Sequence, residues 1–421
     1  MRNPLPRFIA ASGLTNMGDG IALVAWAWLA TQLTRDPLLI ALVPVALKAP
    51  WFLFSLPAGL LIDRTDRRRV ILAADAIRLI AYAAAAVVVW LALPLNPPPL
   101  RGTDQPGLFV LIAICAVTVG AAEVLRDNAA QTLLPALIPE QHLERANGRL
   151  WSVEMVMNMF VGTALAGVLI GISLALPFAV NAAAMAVAIL LILSLHGDFR
   201  ADTSDNSTRT RNWRAELREG LTFLLSQPIL RGLAILTGFF NFAFEAMIVT
   251  LVLIVQERLQ LGPLAISAIM ASGAVGGVLA GTINDRIVIH YGRSRVLQAA
   301  MISTFAFPLT VLLAGTGKGA LILICAGFFV SEFMGILWNT VSITYRQRHI
   351  PRRLLGRVNS AYRLFAVGMA PLGMLTAGFL TRGTAELFGR ETALLTPFWL
   401  AILVFAGLSV VYWRFLNRSF T

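Results

Sequence analysis

The chain has 421 residues, of which 57% are hydrophobic and only 13% charged, against roughly 25% charged in a typical soluble domain. Its mean hydropathy is +0.75, which excludes an ordinary water-soluble protein and leaves no room for a large soluble catalytic domain beside about twelve spans of about 21 residues. The net charge of +12 would point to nucleic acid in a soluble chain, but here membrane topology accounts for it and no nucleic-acid partner is expected.

Turn residues and charges divide the chain into apolar runs over 8–33, 38–62, 70–93, 107–130, 148–171, 175–196, 229–256, 264–284, 295–314, 319–343, 357–380 and 393–414. This pattern predicts an all-α integral membrane protein of twelve transmembrane helices. Only Arg2 and Arg7 precede the first run, which is too long for a signal-peptide core and lacks a small-residue cleavage site, so the first span is expected to be retained. With the N-terminus in the cytosol, arginines of the cytosolic segments outnumber the basic residues of the external ones by roughly four to one. Both termini are therefore expected in the cytosol. Cys115 and Cys325 lie inside apolar runs far apart in the chain and read as reduced core thiols.

The one long polar stretch, 197–228, reads as a cytosolic linker. Trp213, Leu217, Leu221 and Leu224 share one face of a helix, which is expected to lie on the membrane surface. It separates an N-terminal six-helix half, 1–196, from a C-terminal six-helix half, 229–421. The halves echo each other in order: Asp19 matches Glu245, Pro37 matches Pro263, Gly59-Asp63-Arg64 matches Gly281-Asp285-Arg286, and Ile138-Pro139 matches Ile350-Pro351. Drifting offsets are what loops of unequal length produce. Two such pseudo-symmetric halves predict a substrate site between them near mid-membrane.

The segment GLLIDRTDRRRV, Gly59 to Val70, resembles the G-x-L-x-D-R-x-x-R-R/K signature between the second and third helices of the major facilitator superfamily. GTINDR, Gly281 to Arg286, repeats it. RANGRL before span five, REGLTFLLSQP in the linker and RHIPRRLLGRVNS entering span eleven extend the resemblance to the bacterial efflux branch that includes siderophore and macrolide exporters. The resemblance implies a cytosolic gate formed by Gly59, Asp63, Arg64, Arg67, Arg68, Gly281, Asp285, Arg286, Arg357 and Arg363, with Asp63 facing the N-terminus of span eleven. The competing reading makes the arginines topology determinants on anionic lipid. Two departures bear on coupling: Ala116 stands four residues before Gly120 where the antiporter pattern has an arginine, and the span-five glycine motif survives only as Gly162, Thr163, Ala166 and Gly167.

Ionisable groups inside spans are costly and face a cavity or a partner. Asp19 lies about 16 Å along span one from Phe8. Glu245 is its repeat-mate, and Glu123 and Glu332 sit near the middle of spans four and ten. With Lys48, a candidate partner of Asp19 or of an anionic substrate, they form the expected substrate and proton set. Asp75 and Arg78, three apart, read as an intrahelical pair, and Arg126 with Asp127 as a local one. Glu154, nearer the cytosolic end of span five, reads as snorkelling.

Catalytic readings find little. GTGKG, Gly315 to Gly319, lacks the first glycine and the Ser/Thr of a phosphate loop, and the four histidines lack metal-ligand spacing, so neither cofactor nor metal is expected. The sequence reads as a monomeric secondary active exporter of a small organic molecule in a bacterial inner membrane, coupled to protons or another ion and bathed in lipid. An uptake symporter, a lysophospholipid transporter of the same superfamily, and a membrane partner of a secretion complex are the alternatives.

Overall fold

In the computed structural model the described residues are 4–62, 65–195, 199 and 213–419. Twelve of their helices are long and apolar enough to cross a membrane. In the N-terminal part these are α1 (Leu5–Leu33), α2 (Pro37–Ile62), α3 (Arg67–Ala92), α4 (Pro106–Leu137), α5 (Leu143–Met155 continued by Val156–Gly162 and Thr163–Ile172) and α6 (Leu176–Leu193). After the linker helix Trp213–Ser226 come α7 (Pro228–Leu253 and Ile254–Arg258), α8 (Pro263–Tyr291), α9 (Arg293–Ser303 and Ala306–Leu313), α10 (Gly317–His349), α11 (Arg352–Phe388) and α12 (Arg390–Ser419). The chain forms two compact units, one of Met1–Ser207 with Gly262–Ser267, the other of Thr208–Leu261 with Ala268–Thr421.

Large apolar side chains such as Val410, 83% exposed, and Ile322, 72% exposed, stand on the outside of these helices. A lipid-facing surface carries such residues, and helices satisfy every backbone group internally in hydrocarbon. Because lipid offers no hydrophobic drive to helix pairing, small residues set the close crossings. A Cβ at Gly120 would strike the backbone carbonyl of Leu47, so glycine lets α4 touch α2. In the second unit Gly373 does the same for α11 against the backbone of Phe242 in α7. The middle of α5 widens into a π-helix over Val156–Gly162, packed on α1 where Gly20 meets the carbonyl of Asn158.

Several helix ends differ from expectation. α8 continues through GTINDR to Tyr291, so Gly281, Asp285 and Arg286 are exposed helical residues and not a loop. The segment Arg352–Gly356 is likewise helical, because Pro351 starts α11 where the sequence suggests an approach loop. The linker helix also departs from the surface placement. Leu224 is buried and Leu217 half-buried in a cluster with Leu230, Leu233, Leu354, Val358 and Tyr362, while Leu221 stays exposed. Leu217 and Leu224 of its apolar stripe pack on protein from α7 and α11. Glu219 pairs with Arg357, and a Cβ at Gly220 would meet the Arg357 carbonyl.

Candidate functional site

In the first unit, α1, α3 and α4 bring five charges together in the apolar interior. Arg78 of α3 pairs with Asp19 of α1. Behind it Asp75 lies 4.0 Å from Arg78 and 3.6 Å from Arg126 of α4, and Arg126 reaches Asp127 at 3.2 Å and the Ser12 hydroxyl at 3.1 Å. Both arginines are fully buried. A buried charge is tolerated when it is paired, and this alternation of acid and base meets that condition. Glu123 of α4 lies within electrostatic reach of Asp19, Arg78 and Lys48, and Glu154 of α5 joins through Ser12 and Arg126.

This arrangement corrects two expectations and extends a third. The partner of Asp19 is Arg78 and not Lys48, because α3 turns its arginine toward α1. The intrahelical Asp75–Arg78 pair is present at 4.0 Å, and Asp75 also lies 3.6 Å from Arg126. Glu154 points into the protein and does not snorkel.

The second unit contains a cavity of about 260 Å³ lined from α7, α9, α10 and α12. Glu245 and Glu332 both line it, within electrostatic reach of each other. Phe240, Phe244, Phe405 and Trp338 supply aromatic walls, with Phe240 stacked between Phe244 at 5.5 Å and Phe405 at 5.8 Å. The repeat-mates Asp19 and Glu245 thus have unlike surroundings, an arginine for one and a shared aromatic cavity for the other. From the cavity wall a polar cluster joins Trp338 to Thr237 at 3.2 Å, Thr237 to the Tyr362 hydroxyl at 2.7 Å, and the Tyr362 ring to the Arg346 guanidinium, 3.8 Å from its centroid. Spacing gives no sign of this cluster, since its members come from three helices.

Of the residues expected at a gate, Asp63 and Arg64 lie outside the described residues, and so do the surroundings of Gly59 in α2. Arg68 donates to the carbonyls of Ile192 at 3.1 Å and Leu193 at 2.6 Å, and Arg7 to that of Ser194 at 3.1 Å. These bonds satisfy the orphan carbonyls at the end of α6. Arg67 is half-buried beside them, its backbone N–H 3.4 Å from the Phe199 carbonyl. Arg357 holds the linker helix, and Arg363 is exposed near Arg346.

Twelve apolar helices in two units, with buried in-span charges and an aromatic cavity, define an integral membrane transporter. The profile of the Major Facilitator Superfamily matches residues 8–374, and the chain belongs to that family; it is a transporter of small molecules and not an enzyme. It is 26% identical to the multidrug efflux pump Tap of Mycobacterium tuberculosis across 94% of this chain and 91% of that protein. It is 25% identical to macrolide efflux protein A of Streptococcus pyogenes across 87% and 86%. A mutant of the nucleoside transporter NupG superposes with a TM-score of 0.73 at 13% identity, each chain fully covered, which establishes the shared fold.

Proposed function

We infer that the protein is a proton-coupled exporter of small organic molecules working by alternating access. The observation that carries this reading is the cavity of the second unit, an apolar and aromatic space with two carboxylates, the composition expected of an organic-ligand site. Similarity to two efflux proteins along nearly the whole chain supports the outward direction. Glu245 and Glu332 are assigned to substrate, and Asp19, with Glu123 and Lys48 around it, to the coupling ion. Gly59, Asp63, Arg64, Arg67, Arg68, Gly281, Asp285, Arg286, Arg357 and Arg363 are assigned to the cytosolic face, where closing and opening occur. The chain works as a monomer in lipid of a bacterial inner membrane.

Two measurements test the reading. Everted vesicles or inside-out proteoliposomes should take up substrate on imposing an acidic lumen; uptake in right-side-out vesicles alone would indicate import. The arginine distribution requires both termini and the linker in the cytosol. Cysteines at Ser204 and Gln105, in a chain lacking Cys115 and Cys325, should therefore label from opposite sides with an impermeant thiol reagent, and labelling of both from one side would refute the topology.

A further inference from the structure

We propose that the polar pocket between α1, α3 and α6 of the first unit is an internal water-binding site that serves the Asp19–Arg78 pair. Its service to the pair rests on the reading of Asp19 as the coupling group; the hydration itself does not.

Orphaned polar atoms are the first ground. Trp26 of α1, Arg78 and Tyr82 of α3 and Asn181 of α6 are fully buried. Among the described residues, the Trp26 Nε1, the Tyr82 hydroxyl, both amide atoms of Asn181 and the Nε and Nη1 of Arg78 have no hydrogen-bond partner. Buried polar groups are rarely left without a partner, and several of them in one place mark bound water.

These side chains are neighbours. The Trp26 ring stacks on Tyr82 at 6.3 Å and meets Phe178 edge-on at 4.6 Å, which brings α1, α3 and α6 together. Asn181 stands one turn along α6 from Phe178, and a Cβ at Gly18, next to Asp19, would strike its side-chain oxygen. Tyr82 stands one turn along α3 from Arg78 and within its electrostatic reach, yet its hydroxyl has no hydrogen bond of good geometry.

Distance is the second ground. Asp75 lies 3.6 Å from Arg126 and 4.0 Å from Arg78, beyond hydrogen-bond length, and neither of its carboxylate oxygens has a donor among the described residues. Polar contacts of that length are the kind that water bridges.

The mixture of atoms identifies the ligand. Arg78, Trp26 and the Asn181 nitrogen offer donors, Asp75 and the Asn181 oxygen offer acceptors, and Tyr82 offers both. Arg78 and Arg126 face Asp19 and Asp75, and Lys48 lies within reach of Glu123. Charge is thus balanced around the pocket, and an ion gains little by entering. The small neutral molecule that both donates and accepts is water. Its role follows from Arg78, whose Nη2 donates to Asp19. When Asp19 takes a proton, water receives the Arg78 donors, and the pair opens without stranding a dry guanidinium.

The test uses the purified full-length chain in nanodiscs and short X-ray pulses, which make hydroxyl radicals from water and oxidise the side chains beside it. Corrected for the intrinsic reactivity of each side chain, Trp26 and Tyr82 should be oxidised several-fold faster than Phe8 and Phe398, which are equally buried. Oxidation of all four at one slow rate would overturn the proposal and needs no variant. Asn181→Leu, which replaces the amide by an apolar side chain of similar size, should slow the oxidation of Trp26 and Tyr82. In proteoliposomes it should lower accumulation driven by a pH gradient more than it lowers substrate counterflow. Slowed oxidation with both transport modes as in the unchanged protein would overturn the service to the pair. Fast oxidation of Trp26 and Tyr82 in an unchanged protein that shows no accumulation on a pH gradient would remove the proton-coupling reading and leave the water site standing.

Discussion

At the scale of single residues, the pairing of Asp19 with Arg78 sets the energetics of the first unit. Arg78 is fully buried, and removing one partner of a buried pair costs about 3–5 kcal/mol because a charge is left uncompensated. Arg78→Gln should therefore lower the midpoint of thermal unfolding in detergent strongly. Adding Asp19→Asn should restore most of the loss, since both charges then disappear together. A double variant no more stable than Arg78→Gln alone would show that the pair is not what balances Arg78. Asp19, Glu245 and Glu332 are legible in the sequence because an acid in the middle of an apolar run is conspicuous. Arg78 is legible as a charge but not as the partner of Asp19. Asp75 offers it a nearer acid along the chain, and the azimuth of α3 against α1 is fixed by packing that no spacing within α3 encodes. The four aromatic walls are opaque for a similar reason: phenylalanine is unremarkable in a membrane span until three helices converge on it.

Among elements, the linker helix makes the sharpest contrast between pattern and place. Its amphipathic stripe is legible from Leu217 and Leu224, yet hydrophobic periodicity says only that a face is buried and not whether lipid or protein buries it. Gly220 decides the matter locally, because the helix approaches the backbone of α11 at Arg357 too closely for a side chain. Gly220→Ala should push the helix off this seat, at a cost of about 1–3 kcal/mol by overpacking. Amide hydrogen exchange over Trp213–Ser226 should then accelerate, while exchange in α7 stays slow. Unchanged protection would show that the seat yields without loss. The α8 segment teaches the converse lesson. GTINDR keeps the glycine, aspartate and arginine of a loop signature, but nothing in it breaks a helix, and the turn waits for Gly292, whose positive φ of 79° favours glycine.

For the whole molecule, the two units divide their charges unequally, and the proposed coupling of transport is argued from that division. The first unit balances acids against buried arginines, so protonating Asp19 would leave Arg78 in excess and favour rearrangement of α1 against α3. The second unit holds its acids beside a cavity, where a ligand can balance them. On this basis we propose coupling in the first unit and substrate binding in the second, despite the sequence symmetry between Asp19 and Glu245. An imposed gradient of about one pH unit is worth about 1.4 kcal/mol per proton, about tenfold in accumulation. The double variant Asp19→Asn, Arg78→Gln, chosen because it leaves no unbalanced charge, should lose that tenfold accumulation in proteoliposomes. It should retain substrate counterflow, which needs alternating access but no net proton movement. Glu332→Gln should do the reverse in kind, weakening binding and slowing both modes together. Wild-type accumulation driven by a pH gradient in the double variant would move the coupling site out of the Asp19 cluster, and loss of counterflow in a folded double variant would make the pair part of the conformational change itself.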